Sequence, residues 1–239
     1  MSNNGSLFPV EKGIILAADV SDLDQLQRLV QASVGFSEVV GVKVGFVLGL
    51  KYGLSLVVST IDRICSIPVI YDHQKAGTDI PQMGKPFAKV CRDAGVNGVI
   101  FFPQAGPKVL EGFVTAAFDA LLTPIVGLVM THDAYLSSEG GYIVDEAPEM
   151  MAELAVRLGV KDFVLPGTKP NIVRRFATGQ LGQAETASIM MPGIGSQGGS
   201  LSAAFQAAKP HRRFAIIGSG VYAAKDPRRA IAGFIKEVC

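Results

Sequence analysis

Short runs of aliphatic and β-branched residues recur along the chain, and turn residues separate them. The runs are mostly apolar and show no regular alternation with polar residues, which is typical of strands that are covered on both faces. We predict eight strands from these runs, bounded by glycine, proline and polar clusters. They are Ile14–Ala18, Val39–Val44, Pro68–Tyr71, Gly98–Phe102, Thr123–Met130, Lys161–Leu165, Ser188–Met191 and Arg213–Ile217.

Segments with helical periodicity lie between the strands. Among them are Leu23–Leu29 continuing to Ala32, Gly84–Ala94, Ala147–Leu158 and Pro227–Val238. Strands that alternate with helices form parallel sheets, and eight such units favour a (β/α)8 TIM barrel over an open doubly wound sheet. No linker-like or low-complexity tract interrupts the alternation, so we expect residues 1–239 to form one barrel domain.

The amino-acid composition indicates which kinds of partner the protein binds and in which cell compartment it is found. The 22 basic and 21 acidic side chains leave a net charge of +1, which favours neither nucleic acid nor an anionic membrane surface. Neither an export leader nor a membrane-spanning run is predicted. Cys65, Cys91 and Cys239 are far apart and lack metal-ligand spacing, so we expect a cytoplasmic protein without disulfides.

Charged residues follow the first three predicted strands. Asp19 ends the first strand, Lys43 lies on the second, and Asp72, Lys75 and Asp79 follow the third. The carboxyl ends of barrel strands converge on one face, where barrel enzymes carry their active sites. We expect these charges to compensate one another there, either as catalytic groups or as a structural salt-bridge network.

Two glycine-rich segments follow the last two predicted strands. The first runs from Met191 to Gly199 and the second from Ile217 to Tyr222. Barrels commonly bind a phosphate group between these two loops, because bare backbone N–H groups can approach the anion. The sequence therefore predicts a small phosphorylated substrate. Its three histidines lie on separate segments, so we expect no metal site. They are His73, His132 and His211.

The order of these motifs resembles that of the orotidine 5'-monophosphate decarboxylase family, over nearly the whole chain from Ile14 to Glu237. The family pattern has an Asp closing strand 1, a Lys on strand 2, D-x-K-x-x-D-I after strand 3 and Ser/Thr-His after strand 5. It ends with P-G-I/V-x-x-Q-G-G and G-R-x-I-Y. The matching positions are Asp19, Lys43, Asp72, Lys75, Asp79, Thr131-His132, Pro192-Gly193-Ile194, Gln197-Gly198-Gly199, Gly218 and Tyr222.

The resemblance implies a homodimeric lyase of pyrimidine biosynthesis that removes the C6 carboxylate of orotidine 5'-monophosphate without a cofactor or metal. Asp72 would face that carboxylate, Lys75 would protonate C6, and Lys43 would keep Asp72 ionised. Asp79 would enter the neighbouring subunit's site. The remaining implied contacts are Asp19 to the ribose, Thr131 to the pyrimidine, Gln197 between base and phosphate, and the glycine loops with Pro192, Gly198, Gly199, Gly218 and Ser219 to the substrate.

The sequence departs from the family pattern in two places. The spacing from Asp72 to Asp79 is two residues longer, which a β-bulge would compensate. Ser219 replaces the phosphate-binding arginine, and Arg212, Lys169 and Lys108 are the candidate substitutes.

Three other functions fit parts of the pattern. A magnesium-dependent sugar-phosphate decarboxylase or synthase of the same suprafamily would share the Asp and Lys cluster. A phosphometabolite-binding barrel without turnover would fit the two departures. A Schiff-base aldolase would need a lysine of lowered pKa, which flanking aspartates oppose.

Overall fold

The eight strands form a closed parallel barrel in chain order, in a computed structural model that describes residues 7–74, 79–183, 186–195 and 198–238. This confirms the predicted (β/α)8 barrel. The strands are β1 Lys12–Ala18, β2 Val39–Gly45, β3 Val69–Gln74, β4 Gly98–Phe101, β5 Thr123–Gly127, β6 Asp162–Val164, β7 Ser188–Met191 and β8 Arg212–Ile217.

Helices surround the barrel and connect successive strands. They are α1 Leu23–Ser33, α2 Phe46–Tyr52, α3 Leu54–Asp62, α4 Gly84–Asp93, α5 Pro107–Asp119, α6 Ala147–Arg157, α7 Pro170–Thr178, α8 Leu201–Ala207, α9 Ser219–Tyr222 and α10 Pro227–Val238. Short 3₁₀ turns occupy Pro81–Met83, Ser137–Glu139 and Gln180–Gln183. Within the described ranges, no helix is long and apolar enough to cross a membrane.

The predicted strand Thr123–Met130 was too long, because β5 ends at Gly127. Only residues 123–127 pair with the neighbouring strands. Leu128 N still donates to Val164 O of β6 at 3.2 Å, and the chain then leaves the sheet. Leu128 and Val129 stay buried, and Val129 and Met130 line the mouth of the barrel. Hydrophobicity reports burial, so it extended the prediction into a buried loop.

The strands separate two hydrophobic cores. One fills the barrel and includes Ile15, Ile70 and Phe214, whereas the other lies between the strands and the helices. Phe8 stacks on Phe214 with ring centroids 4.9 Å apart and closes the amino-terminal end of the barrel. Gly41 leaves room for this ring, since a Cβ there would lie 2.9 Å from it. The carboxyl end is therefore the end that carries a cavity.

A buried carboxylate lies near the closed end of the barrel, at the first residue of β6. Asp162 is only 4% exposed, and its Oδ1 has no hydrogen-bond partner among the described residues. Burial raises the pKa of Asp162 to about 6, although Ser188 and the charges of Arg212 and Lys161 oppose the shift. The ionised form is thus disfavoured in the folded protein.

We predict that Asp162→Asn gains stability relative to the wild type as pH rises from about 4 to 7. In this window the folded state keeps a proton that the unfolded state releases, so wild-type stability falls with rising pH and then levels off above about pH 6. The gain should reach roughly 2–3 kcal/mol, because one pKa unit corresponds to about 1.4 kcal/mol. Urea unfolding of both proteins at pH 4.5 and pH 7.5 measures this gain. An equal difference in the free energy of unfolding at the two pH values would contradict the raised pKa of Asp162.

Candidate active site

A cavity of about 210 Å³ opens at the carboxyl ends of the strands. Charged side chains from β2, β3 and the loop after β1 form one wall. Apolar residues of the barrel interior form the floor, and the loops after β5, β7 and β8 complete the rim. The floor consists of Ala17, Ile100, Val164 and Ile216.

Lys43 lies between two carboxylates at the charged wall. Its Nζ is 3.0 Å from Asp19 Oδ1 and 3.0 Å from Asp72 Oδ2. Lys43 and Asp72 are buried, whereas the Asp19 side chain is half exposed. Burial opposes the charge on Lys43, but the two carboxylates outweigh it and raise the pKa of the ammonium. Lys43 therefore stays protonated, which argues against its use as a Schiff-base nucleophile.

Strand register brings these three groups together. Lys43 pairs with Ala17 of β1, and Asp72 pairs with Gly45 of β2, so both charged residues lie near the ends of adjacent parallel strands. Gly45 leaves space for the carboxylate of Asp19, since a Cβ there would lie 3.0 Å from Oδ1. Strand register thus brings three charged residues that are distant in the sequence into a single ion network.

The end of β3 contains an irregularity in its pairing with β4. Asp72 lies opposite Ile100 and Gln74 lies opposite Phe101, so His73 is an extra residue on the β3 side. Gln74 adopts a left-handed conformation with φ of +54°, and its carbonyl accepts a hydrogen bond from Phe102 N at 3.1 Å. The lengthened motif that starts at Asp72 therefore begins with a bulge, as the sequence suggested.

The two residues that flank Asp72 are tied to each other on the outer face of β3. The hydroxyl of Tyr71 and Nδ1 of His73 are 2.6 Å apart. Burial raises the pKa of Tyr71 to about 12, so its hydroxyl keeps its proton. This bond restrains the strand on both sides of the inward-facing carboxylate of Asp72.

The glycine-rich loop after β7 folds back on itself through backbone hydrogen bonds. Gly195 N donates to Gly199 O at 3.0 Å, and Gly199 N donates to Gly193 O at 3.1 Å. Gly193, Gly195 and Gly198 have positive φ angles, which other residues adopt at a cost. This part of the loop is thus a compact turn whose first residues, Pro192 and Gly193, face the cavity.

One aromatic ring supports the loops after both β7 and β8. A Cβ added at Gly195 would lie 3.1 Å from the ring of Phe234 on α10, and one added at Gly220 would lie 3.2 Å from it. The two glycines therefore pack on the same ring. This shared support holds the two candidate phosphate-binding loops next to each other.

Most of the predicted site residues line the cavity. They are Asp19, Lys43, Asp72, Thr131, Pro192, Gly218 and Ser219. Gly198 and Gly199 belong to the adjacent turn but do not line the cavity. Asp79 is exposed outside it, and its Oδ1 accepts a hydrogen bond from Ile80 N at 2.7 Å. Lys75 and Gln197 lie outside the described residues.

None of the three cations considered as substitutes for the missing arginine lines the cavity. Arg212 was a wrong candidate, because it begins β8 and therefore lies at the opposite end of the barrel. Lys108 pairs with Glu111 on α5 at 2.7 Å, and Lys169 pairs with Glu139 at 2.9 Å. Among the described residues, Lys43 alone brings a cationic side chain to the cavity wall.

Several cavity residues were not among the predicted site residues. Gln74 lies beside Asp72, the side chains of Phe102 and Met130 contribute to the wall, and Ile216 belongs to the floor. Alternation along each strand, counted from a known inward residue such as Asp72, would have identified Gln74. In the described part of the chain, no group of three or more His, Cys, Asp or Glu side chains is arranged to hold a metal ion.

The chain is similar to one family of proteins over almost its whole length. The sequence profile of the "Orotidine 5'-phosphate decarboxylase / HUMPS family" matches residues 12–234. The orotidine 5'-phosphate decarboxylase of Thermoplasma acidophilum is 27% identical over 228 residues, covering 95% of this chain and 96% of the relative. The enzyme of the same name from Methanococcoides burtonii is 29% identical, covering 95% of each chain.

Solved structures share the fold. The orotidine 5'-monophosphate decarboxylase of Methanocaldococcus jannaschii, complexed with the inhibitor BMP, superimposes with a TM-score of 0.82 at 22% identity. The superposition covers 96% of this chain and 99% of that one. The enzyme from Pyrococcus horikoshii gives a TM-score of 0.78 at 24% identity, covering 94% and 98%.

We predict that Lys43→Met destabilises the protein by about 3 kcal/mol near pH 7, because it leaves the buried carboxylate of Asp72 without its cation. Adding Asp72→Asn should recover most of this loss, since no buried charge then remains unpaired. Urea unfolding of the two single variants and the double variant measures the coupling. A double variant no more stable than Lys43→Met would show that the carboxylate is not the source of the loss.

Proposed function

The chain belongs to the orotidine 5'-phosphate decarboxylase / HUMPS family, and we propose that it converts orotidine 5'-monophosphate to uridine 5'-monophosphate in pyrimidine biosynthesis. The observation that carries this proposal is the buried Asp72, held by Lys43 in the cavity. Its Oδ1 has no hydrogen-bond partner among the described residues. An anion so placed disfavours a second carboxylate beside it, which is what a leaving carboxylate requires.

In the proposed reaction the bond between C6 and the carboxylate carbon breaks, and its electron pair stays on C6. Carbon dioxide leaves, and the ammonium of Lys75 gives C6 a proton. Lys43 pairs with Asp72 at 3.0 Å and is itself held protonated by Asp72 and Asp19. Neither oxidation nor reduction occurs, so these steps need no redox cofactor.

The rest of the cavity suits the remaining parts of a nucleoside monophosphate. We propose that Asp19 and Lys43 contact the ribose hydroxyls and that Thr131 contacts the pyrimidine. Gln197 would bridge the base and the phosphate. The glycine loops would bind the phosphate through their backbone N–H groups and the Ser219 hydroxyl. The loop residues assigned to this subsite are Pro192, Gly198, Gly199, Gly218 and Ser219. Binding of the remote phosphate would then help to hold the reacting end against Asp72.

We propose that the protein is a homodimer with shared active sites. Asp79 does not line the cavity of its own chain, and the next residue, Ile80, is 59% exposed. Exposed apolar side chains follow β2 and β3 at the same end of the barrel. They are Phe46, Val47, Leu50, Ile80 and Met83. An apolar surface beside a charged cavity supports contact with a second copy.

We also propose a cytoplasmic location, which the free thiols of Cys65 and Cys91 support.

A sugar-phosphate enzyme of the same family is the second candidate. The name of the family includes HUMPS, the hexulose-phosphate synthases, as well as the decarboxylase. The assay is incubation with orotidine 5'-monophosphate, followed by ultraviolet absorbance, before and after dialysis against a chelator. We expect equal turnover in both samples. Activity that is lost on dialysis and restored by magnesium would favour the sugar-phosphate enzyme. Binding of the nucleotide without turnover would identify a non-catalytic barrel.

We predict that Lys75→Ala abolishes measurable decarboxylation and leaves the affinity for uridine 5'-monophosphate nearly unchanged. A proton donor acts in the transition state and typically contributes about 10²- to 10⁴-fold, whereas the phosphate loops also bind the ground state. Turnover and nucleotide titration are measured for this variant and for Lys89→Ala, an exposed lysine on α4 that serves as control. Unchanged turnover in Lys75→Ala would refute its role.

We predict that inactive Asp79→Ala and Lys75→Ala chains restore activity when they are mixed and allowed to exchange subunits. Random pairing gives about half heterodimers, and each contains one intact site and one site with both defects. Roughly a quarter of wild-type activity should return, by the arithmetic of a symmetric dimer. No recovery, despite exchange demonstrated with labelled chains, would mean that Asp79 serves its own chain.

A further inference from the structure

Gln74 lies in the cavity beside Asp72, at the bulged end of β3. The bulge places Gln74 opposite Phe101, and the hydrogen bond from Phe102 N to its carbonyl fixes its backbone. A φ of +54° is unfavourable for a residue with a side chain. Backbone conformations of this kind cluster at functional sites, where a bulge can redirect a side chain.

The side chain of Gln74 faces the reacting groups. Its Nε2 lies 3.4 Å from Asp72 Oδ2, the same oxygen that accepts from Lys43 Nζ at 3.0 Å. An ionised carboxylate only accepts hydrogen bonds, so the nitrogen end of the amide must be the end that faces Asp72. The amide nitrogen carries two hydrogens, and only one is directed to Asp72.

We infer that Gln74 contacts the reacting end of the substrate and bridges Asp72 to the departing carboxylate. This inference rests on the proposed function. One N–H of the amide donates to Asp72 Oδ2 and the other to the carboxylate on C6. The amide therefore fixes the position of the substrate carboxylate beside Asp72.

The neutrality of the amide matters for this role. A cation at the same position would neutralise the repulsion between the two carboxylates, and that repulsion favours departure of carbon dioxide. An anion there would add to the repulsion and exclude the substrate. Glutamine supplies a hydrogen-bond donor without net charge, so it orients the carboxylate and leaves the repulsion in place.

Gln74→Ala and Gln74→Glu test the inference, with Gln104→Ala and Gln104→Glu as matched controls. Gln104 lies beyond β4, where its amide contacts Tyr135 Oη at 3.3 Å, and it does not line the cavity. Each variant is assayed for kcat/KM with orotidine 5'-monophosphate and for affinity toward uridine 5'-monophosphate, which lacks the carboxylate. Thermal unfolding shows whether each variant is folded.

We expect Gln74→Ala to lower kcat/KM by about 10- to 100-fold, the range for loss of a hydrogen bond to a charged group. Gln74→Glu should lower it further, because it adds an anion of nearly the same shape. Both variants should bind uridine 5'-monophosphate within about twofold of the wild type, and both Gln104 variants should retain full activity.

Two results would overturn the inference while the proposed function stands. One is an active wild type whose kcat/KM is unchanged in both Gln74 variants. The other is an equal loss of turnover and of uridine 5'-monophosphate affinity, because that pattern marks damage to the whole cavity and not to the carboxylate subsite. A wild type that does not decarboxylate the substrate would overturn the proposed function and this inference together.

Discussion

The contact of Lys43 with two carboxylates is the interaction on which the mouth of the barrel depends. A buried ammonium is costly unless its partners compensate it, and here the partners come from the segments that follow β1 and end β3. The network therefore joins the ends of three adjacent strands. It also sets the chemistry of the cavity, because it places a buried, paired carboxylate beside the apolar floor. Removal of Lys43 leaves the buried carboxylate of Asp72 without a cation.

Much of the fold could be predicted from the sequence, because in a parallel barrel the strands are also the buried apolar segments of the chain. The run Ser188–Met191 is apolar after its first residue and buried along its whole length, and it matches β7. Thr123–Met130 shows the limit of that signal, since its last three residues contribute to a buried loop after β5. The apolar pattern measures exclusion from water and does not record where hydrogen bonding between strands stops.

The candidate site was predictable where it depends on strand ends and less so where it depends on loops. Asp19, Lys43 and Asp72 were identified because parallel strands end at the same face. Arg212 was a wrong candidate for the phosphate cation because closeness in sequence to a loop does not tell which end of the strand a residue occupies. Gln74 was missed because the search followed charged residues and glycines, and a neutral amide gives neither signal, although alternation from Asp72 places Gln74 on the cavity side.

The ring of Phe234 beneath Gly195 and Gly220 has a consequence for the order in which the protein matures. Phe234 belongs to the last helix of the chain, whereas the two loops that rest on it are synthesised earlier. The loops therefore lack this support until α10 has been synthesised and has left the ribosomal exit tunnel. The strands and the ion network at the barrel mouth precede α10 in the chain, and the end of the cavity proposed to bind phosphate is therefore the last part of the site to be completed.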